Sequence, residues 1–265
     1  MRNILFLLLI ACCFFAGAQP SQSNPLQQKS LVLRRLLEQN HYLPLHWDDS
    51  ASARLYDRWM ELLDEEKLLF TNLEISPIVS YRTRLDEELM GKEWAFFNKT
   101  IQVYSRGLLR ADSFIKQILA RPLDFTKADD LNWPLANYPG NDTELYLTWQ
   151  KYLKWKVLRA VSDMVMDTGT INISNTHQPA NFPLLEVKAR AQVQKQESGW
   201  IRNKLSALAQ PGKEMEDNYL SAISWCYDPH TTYMSADTKT DVESELSGLE
   251  FAPGFEWMKM IKVNG

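Results

Sequence analysis

Apolar residues recur at intervals of three and four along most of the chain, and charged residues occupy the positions between them. This spacing is typical of amphipathic helices that bury one face. The stretches with this pattern are 31–38, 55–63, 81–89, 94–120, 143–158, 184–209 and 219–227. Almost no convincing strand-like alternation is found up to Ser247. The pattern therefore predicts an all-α fold, a curved bundle of several helices joined by short turns.

Helix boundaries are marked by capping and breaking residues. Asp48, Asp49 and Ser50 offer side-chain caps for the second helix, and Gly91 is suited to ending the third. Residues 121–142 contain three prolines and a glycine among Asp and Asn, which predicts a loop. Residues 168–183 are polar and carry Gly, Pro and Asn, so they form the clearest internal linker or flexible loop.

The first helical stretch predicts a simple two-sided helix. Leu31, Leu33, Leu36 and Leu37 would form the apolar face, and Arg34, Arg35 and Glu38 would lie on the opposite, polar face. Carboxylate runs elsewhere, at 64–66 and 86–88, lie beside basic residues and are expected on solvated helix faces.

The end of the chain has a different composition. Phe251–Val263 is rich in large apolar residues after a Pro253-Gly254 corner, and Asn264-Gly265 is a strong hairpin-turn pair. A single strand is not stable alone, which favours a β-containing domain cut off just after it starts. The alternative is a frayed or differently folded tail.

The amino terminus reads as an export signal. Arg2 precedes an apolar run that is too short for an ordinary membrane span, and small residues end at Ala18. Cleavage after Ala18 would place the mature protein in the periplasm. The alternative is a lipoprotein anchored to the membrane at Cys12. With Cys12 and Cys13 removed, Cys226 is left without a cysteine partner, and its apolar neighbours favour burial over reactivity.

Composition excludes several other functions. The chain of 265 residues is 45% apolar, has a formal charge of −4 and lacks the basic stripe that nucleic-acid binding requires. The histidines are not spaced as paired metal ligands, so neither a metal nor a cofactor is expected. Trp149, Tyr152 and Trp155 lie at helical spacing and are interpreted as core residues rather than a ligand platform.

A break in helical pattern organises the segment 218–235. Pro229 disfavours helix at the preceding residue, so a helix should end near Tyr227. Asp228 is suited to capping a following helix with Pro229 at its first position. From the residues alone this is a helix–helix corner with a structural role.

The same corner resembles the signature that precedes the PDZ domain in tail-specific proteases, also called C-terminal processing peptidases. The matching residues are Asp228, Pro229, His230, Thr231, Tyr233 and Ser235. Stretches 42–44, 55–70, 81–86, 123–126 and 149–154 resemble other parts of that family in the same order. The resemblance implies a helical N-terminal domain at 19–247, and the start of a PDZ domain at 248–265. Gly254 and Phe255 resemble the carboxylate-binding loop of that domain.

The family's nucleophilic serine and lysine base lie downstream of the PDZ domain, and no position here matches them. The resemblance therefore implies a non-catalytic part of a serine endopeptidase, which scaffolds the PDZ and protease domains and helps admit substrate tails. Implied partners are protein or peptide substrates, bound through the missing domains, and an adaptor protein. Two alternatives are a free-standing periplasmic helical binding module without protease activity and a helical protein unrelated to proteases.

Overall fold

The computed structural model describes residues 24–130, 135–167, 181–209, 213–236, 238–240 and 242. These ranges contain helices and no strand, which confirms the all-α prediction for the part described. The α-helices are α1 (Pro25–Asn40), α2 (Asp49–Asp64), α3 (Asn72–Ile75), α4 (Leu85–Leu89), α5 (Phe96–Leu119), α6 (Asp142–Asp167), α7 (Phe182–Ala209) and α8 (Lys213–Trp225), with a short 3₁₀ turn at Val79–Tyr81. The predicted β segment at 248–265 and the export signal at 1–18, with Cys12, lie outside the described residues.

Local sequence explains where several helices begin and end. The Asp48 carboxylate accepts the main-chain N–H groups of Ser50 (2.9 Å) and Ala51 (3.0 Å), so the predicted cap of α2 is confirmed. Asn24 caps α1 in the same way, with Pro25 as the first helical residue. Gly91 follows α4 at φ +91°, a conformation that favours glycine.

The long helices pack against one another around a core of aromatic side chains. Helix α7 lies against α5, α6 and α8, while α1 packs on α4 and α8. Trp59 of α2 is completely buried at the centre. Its ring meets Tyr219 edge-on at 5.1 Å between centroids, and its Nε1–H donates to the Thr100 hydroxyl at 2.8 Å. The indole is therefore both packed and hydrogen-bonded, as a buried tryptophan requires.

The connection between α2 and α3 is closed around one buried carboxylate. Asp64 accepts the main-chain N–H groups of Leu68 (2.8 Å), Leu69 (2.9 Å) and Phe70 (2.9 Å), and Lys67 adopts φ +54° to make the turn. We call residues 64–70 the Asp64 loop. Burial raises the pKa of Asp64 to about 6, even though the three hydrogen bonds act in the opposite direction.

Helices α5 and α6 hold the Asp64 loop from outside. Arg110 donates from Nη2 to the Leu69 carbonyl (2.6 Å) and to Glu74 (2.8 Å), and the Trp149 indole donates to the Leu68 carbonyl (2.8 Å). Gly107 lies directly beneath Leu69, where an added Cβ would come within 2.7 Å of the Leu69 carbonyl oxygen. The loop is thus fixed by polar bonds and by close backbone approach.

Three predictions about side-chain placement are wrong. Two carboxylates expected in water are buried: Asp64, described above, and Glu88, which accepts the N–H groups of Ala95 and Phe96 at 3.1 Å each. Each replaces water with main-chain donors that its own loop supplies, which makes its burial possible. On α1, Leu36 is exposed and Arg34 is half-buried, because the helix turns its Leu26–Ser30 side toward the core.

The aromatic residues of α6 divide between core and surface. Trp149 and Tyr152 are buried, as predicted, whereas Trp155 is 39% exposed and the core prediction for it is wrong. Trp155 lies on the side of α6 that no other described helix covers completely. No helix within the described ranges has the length and apolar composition needed to cross a membrane.

Candidate functional site

Helix α8 ends at Trp225, two residues before the predicted end, and the chain then tightens. The N–H groups of Cys226 and Tyr227 donate to carbonyls three residues back, Ile223 (3.2 Å) and Ser224 (3.0 Å). Such shortened bonds satisfy the last carbonyls of a helix that cannot continue. Pro229 prevents continuation because it lacks an N–H group. The predicted helix end at this point is confirmed.

Asp228 then closes a turn rather than opening a helix. Its Oδ1 accepts the His230 N–H at 3.1 Å, and its carbonyl accepts the Thr231 N–H at 3.0 Å. Residues 231–235 are non-helical, so the prediction that Asp228 caps a helix starting at Pro229 is wrong. Consecutive threonines and a tyrosine have weak helix propensity, which favours the extended path after the turn. We call residues 226–235 the Asp228 corner.

Helix resumes after Ser235 instead. The Ser235 hydroxyl oxygen accepts the Thr238 N–H at 3.3 Å, and the Ser235 carbonyl accepts the Lys239 N–H at 2.9 Å. This is the geometry of a serine N-cap. Ser235 is buried, and the Tyr233 carbonyl just before it accepts the Ser221 hydroxyl of α8 at 3.4 Å. The extended stretch is thereby held against α8 until the chain turns into its next helical residues.

The Asp228 corner is tied to the connection between α1 and α2. The Tyr42 hydroxyl donates to Asp228 Oδ2 at 2.9 Å, and His41 Nε2 lies 3.0 Å from the Thr231 hydroxyl. The Leu43 N–H and the Leu43 carbonyl both approach His41 Nδ1, at 3.1 Å and 3.0 Å, so the ring is held by its own connection as well as by Thr231. The rings of His41 and Tyr42 stack, with centroids 4.7 Å apart.

A buried pair lies beneath these exposed contacts. The Trp47 indole N–H donates to the Tyr227 hydroxyl at 2.9 Å, and that hydroxyl lies 3.4 Å from the Arg34 carbonyl of α1, to which it donates. Trp47 and Tyr227 are both buried. Burial is the main cause that raises the pKa of Tyr227, so its proton stays available for this bond at neutral pH. The pair joins α1, the following connection and the end of α8.

The charges at the corner favour an ionised Asp228. The His230 main-chain N–H lowers the pKa of Asp228 below its ordinary value, and the Tyr42 hydroxyl acts in the same direction. The bond to Asp228 in turn raises the pKa of Tyr42. At neutral pH the carboxylate is therefore charged and accepts from both groups, which is the state that holds the turn.

The remaining predicted residues are placed as follows. Pro229 and His230 are exposed at the tip of the turn, and Cys226 is buried, with a thiol pKa raised to about 12 by burial. Cys226 Sγ donates to the Ala222 carbonyl at 3.3 Å, which agrees with the expected burial of this cysteine. Gly254 and Phe255, the predicted carboxylate loop, lie outside the described residues.

Sequence reasoning missed the partners of the corner: His41, Tyr42 and Trp47. They are separated from their contacts by 180 to 190 positions, and no local periodicity connects them. The available signal was that Tyr42-Leu43-Pro44 and the corner both resemble parts of one family pattern. Within the described ranges, no three His, Cys, Asp or Glu side chains group closely enough to hold a metal ion.

The geometry of the corner can fix the direction in which the chain leaves the bundle. Comparison with known families adds one finding. The family model for the tail-specific protease N-terminal domain matches residues 33–237. That range includes the Asp228 corner and the connection it contacts. The boundaries of the predicted helical domain, 19 and 247, are not tested by this match and stay predictions.

Proposed function

The chain belongs to the tail-specific protease N-terminal domain family, and from this premise we propose that it is the non-catalytic helical region of an exported tail-specific serine protease. In this role it scaffolds a peptide-binding PDZ domain and a protease domain that follow it. It also helps admit the C-terminal tails of protein substrates. The observation that carries the proposal is the Asp228 corner, which lies where a following domain would be attached.

The Asp228 corner is held in place from two sides. Tyr42 and His41 bond the exposed side of the turn, while Trp47 bonds Tyr227 on the buried side. The exposed contacts and the buried contact restrain the turn on two sides. Together they fix the direction in which the chain leaves the bundle better than either would alone, because the turn cannot pivot while both are intact. A domain attached beyond Ser235 would therefore start from a fixed position.

The serines near the corner support a non-catalytic role. Ser221 and Ser224 direct their hydroxyl groups to main-chain carbonyls, and Ser235 caps a helix. A nucleophilic serine needs a base within hydrogen-bond reach of its hydroxyl, such as a desolvated lysine. These three hydroxyls have main-chain or capping partners in its place. We expect the catalytic Ser and Lys to be supplied by the protease domain.

Localisation and partners follow from the same proposal. Met1–Ala18 would direct export to the periplasm, with a lipid anchor at Cys12 as the alternative. Substrates would be proteins or peptides engaged through the domains beyond this region, and an adaptor protein is a further candidate partner. We propose no cofactor and no nucleic acid.

The test combines sequencing with reconstitution. The coding frame is read past residue 265, and the polypeptide it encodes there is prepared separately. We expect that the 265-residue chain alone does not hydrolyse an unstructured peptide and that adding it increases hydrolysis by the downstream polypeptide. A Tyr42→Phe, Thr231→Ala double variant should reduce that increase. Tyr146→Phe, which removes a hydroxyl on α6 far from the corner, should not.

Two results would contradict the proposal. One is serine-dependent hydrolysis by the 265-residue chain itself. The other is a continuing frame without PDZ, serine and lysine elements, which would favour a free-standing helical binding module instead.

A further inference from the structure

A groove of about 800 Å³ runs along the outer side of α6. Its second wall is the connection after α5, from Phe125 to Asp129, and Phe182 at the start of α7 closes one side. We call this the α6 groove. It is separate from the Asp228 corner, which none of its lining residues belongs to. Its volume is in the range of sites that hold small ligands or short peptides.

The floor of the α6 groove is apolar and open to solvent. Trp155 is 39% exposed, Leu158 42% and Met166 58%, although all three are large apolar residues. On the opposite side of the same helix, Trp149 and Leu153 are buried in the core. Helix α6 therefore has two apolar faces, and among the described residues the bundle buries only one of them. Contiguous exposed apolar surface of this kind is typical of interaction sites.

The walls are held in place by contacts that do not depend on an occupant. Lys154 donates to the Lys127 carbonyl at 2.7 Å and to the Asp129 carboxylate, which fixes the connection to α6. Phe125 meets Phe182 edge-on, with ring centroids 5.3 Å apart. The groove is preformed, so little conformational entropy would be lost when it is filled.

The lining residues leave a net positive charge at one end of the α6 groove, where Asp124, outside the lining, is also close enough to Lys127 and Lys154 for them to lower its pKa. Asp129 is neutralised by Lys154, and the other charged lining residues are Lys127 and Lys151, both exposed. Lys151 lies one helical turn before Trp155, whereas Met166 is at the far end. The fifteen positions from Lys151 to Met166 correspond to about 22 Å of helix, which is the length of about six residues of an extended chain.

We propose that the α6 groove binds an extended apolar peptide through its free carboxyl terminus. The terminal carboxylate would lie beside Lys127 and Lys151, and the apolar side chains would cover Trp155, Leu158 and Met166. A fatty acid shares this chemistry. The choice of a peptide rests on the proposed function, because a region of a tail-processing protease meets the ends of unstructured polypeptides.

The test measures fluorescence anisotropy of a labelled peptide with the full 265-residue chain. The probe is a hexapeptide of alternating leucine and alanine, labelled at its amino end, with a free carboxyl terminus. Its carboxamide form is the ligand control. We expect the carboxamide to bind about tenfold more weakly, since it lacks the charge that the two lysines recognise.

Matched protein variants locate the site. Leu158→Asp should weaken binding by about tenfold or more by placing a carboxylate in the apolar floor, and Lys151→Glu should abolish the preference for the free carboxylate. Leu147→Asp, at a similarly exposed leucine of α6 outside the groove, and Lys188→Glu, on α7, should leave binding unchanged. Circular dichroism confirms that each variant is folded.

Several outcomes overturn the proposal. Equal affinity of the unaltered chain for the free-carboxylate and carboxamide peptides would show that the lysines do not recognise the carboxylate. Unchanged binding in Leu158→Asp would show that the peptide does not bind in the α6 groove. Displacement of the peptide by an equal concentration of laurate favours a lipid, and concentration-dependent dimers that Leu158→Asp abolishes favour a second copy. None of these results affects reconstitution through the Asp228 corner, so the two proposals fail separately.

Discussion

The Asp64 loop and the Asp228 corner use the same chemistry in opposite surroundings. In each, an aspartate carboxylate at or just after the end of a helix closes a turn by accepting main-chain N–H groups, three at Asp64 and one at Asp228. Asp64 is 5% exposed and its pKa is raised to about 6, whereas Asp228 is accessible to solvent and its pKa is lowered. Burial outweighs three hydrogen bonds in the first case, whereas in the second the His230 main-chain bond, together with the Tyr42 hydroxyl, outweighs desolvation.

The two sites are therefore expected to differ in what their loss affects: the stability of the bundle at the Asp64 loop, and the path of the chain at the Asp228 corner. The Asp64 loop is surrounded by α5 and α6, so its loss leaves buried polar groups without partners. The outer contacts of the Asp228 corner can be replaced by water. The signature residues of the corner thus lie where substitutions change the path of the chain, whereas the stability of the bundle depends on the Asp64 loop. Five substitutions or conditions test this separation.

The largest effect is expected for Asp64→Ala. Three buried N–H groups would lose their acceptor, and we expect the free energy of unfolding to fall by about 3 kcal/mol. Urea denaturation followed by circular dichroism measures the loss. Asp64→Asn retains one acceptor oxygen, so its free energy of unfolding should lie between those of Asp64→Ala and the unaltered chain. A loss below that of Tyr227→Phe, described below, would contradict the central position of the loop.

Gly107→Ala tests the close approach of α5 to the Asp64 loop. The new Cβ would lie 2.7 Å from the Leu69 carbonyl oxygen, a main-chain atom that Arg110 also holds. We expect destabilisation of about 2 kcal/mol, because the backbone must shift. Gly199→Ala is the control, since a Cβ there meets no atom within 4 Å. It should stabilise α7 by about 0.5 kcal/mol through helix propensity.

The buried carboxylates predict how stability depends on pH. Burial raises the pKa of Asp64 to about 6 and of Glu88 to about 7 in the folded protein, above their ordinary values of 3.8 and 4.5. Between these values the folded state binds more protons than the unfolded state, so stability increases as pH falls from 8 toward 5. We expect a gain on the order of 2 kcal/mol.

Glu88→Gln is the matched control for the pH effect, because the amide oxygen can still accept the N–H groups of Ala95 and Phe96. It should remove the share of the gain that arises near pH 7 and keep the share near pH 6. Denaturation curves at pH 5 and pH 8 measure both. A free energy of unfolding that decreases from pH 8 to pH 5, by the same amount in the unaltered chain and in Glu88→Gln, would contradict the role of these carboxylates.

A smaller effect is expected beneath the Asp228 corner. Tyr227→Phe removes the acceptor of the buried Trp47 N–H, and we expect a loss of about 1 kcal/mol. The corner should also gain mobility, measurable as faster amide exchange at His230 and Thr231 relative to α5. Unchanged exchange there would show that the exposed layer of contacts suffices.

The smallest effect on stability is expected for Tyr42→Phe, which removes only the hydroxyl that donates to Asp228. Water replaces that donor, so the denaturation midpoint should not change measurably. The pKa of Asp228 should rise toward its ordinary value, which NMR titration of the carboxyl detects. A clear loss of stability would mean that the exposed layer belongs to the structural core.

The helices were predictable because their signals are local. The cap at Asp48, the glycine after α4 and the end of α8 before Pro229 are each encoded within a few residues. The burial of Asp64 was not predictable, since a carboxylate beside two glutamates is typical of a solvated face. Only the packing of α5 and α6 over its loop supplies the desolvation.

The candidate site was half visible in the sequence. The signature residues from Asp228 to Ser235 could be identified as a corner, but the local chemistry of an aspartate before a proline fits a turn and a helix cap equally well. The exposed Trp155 was misplaced for a related reason. Helical spacing shows that α6 is apolar, and it does not show on how many sides the helix is covered.

The Trp47–Tyr227 pair has a mechanical consequence. Tension applied to the chain beyond Ser235 would pass through the Asp228 turn into α1 and its connection, not only along the axis of α8. Such a force would act on several hydrogen bonds between these segments at the same time, and would not open α8 one turn after another. The chain beyond Ser235 is therefore anchored to two helices of the bundle and not to α8 alone.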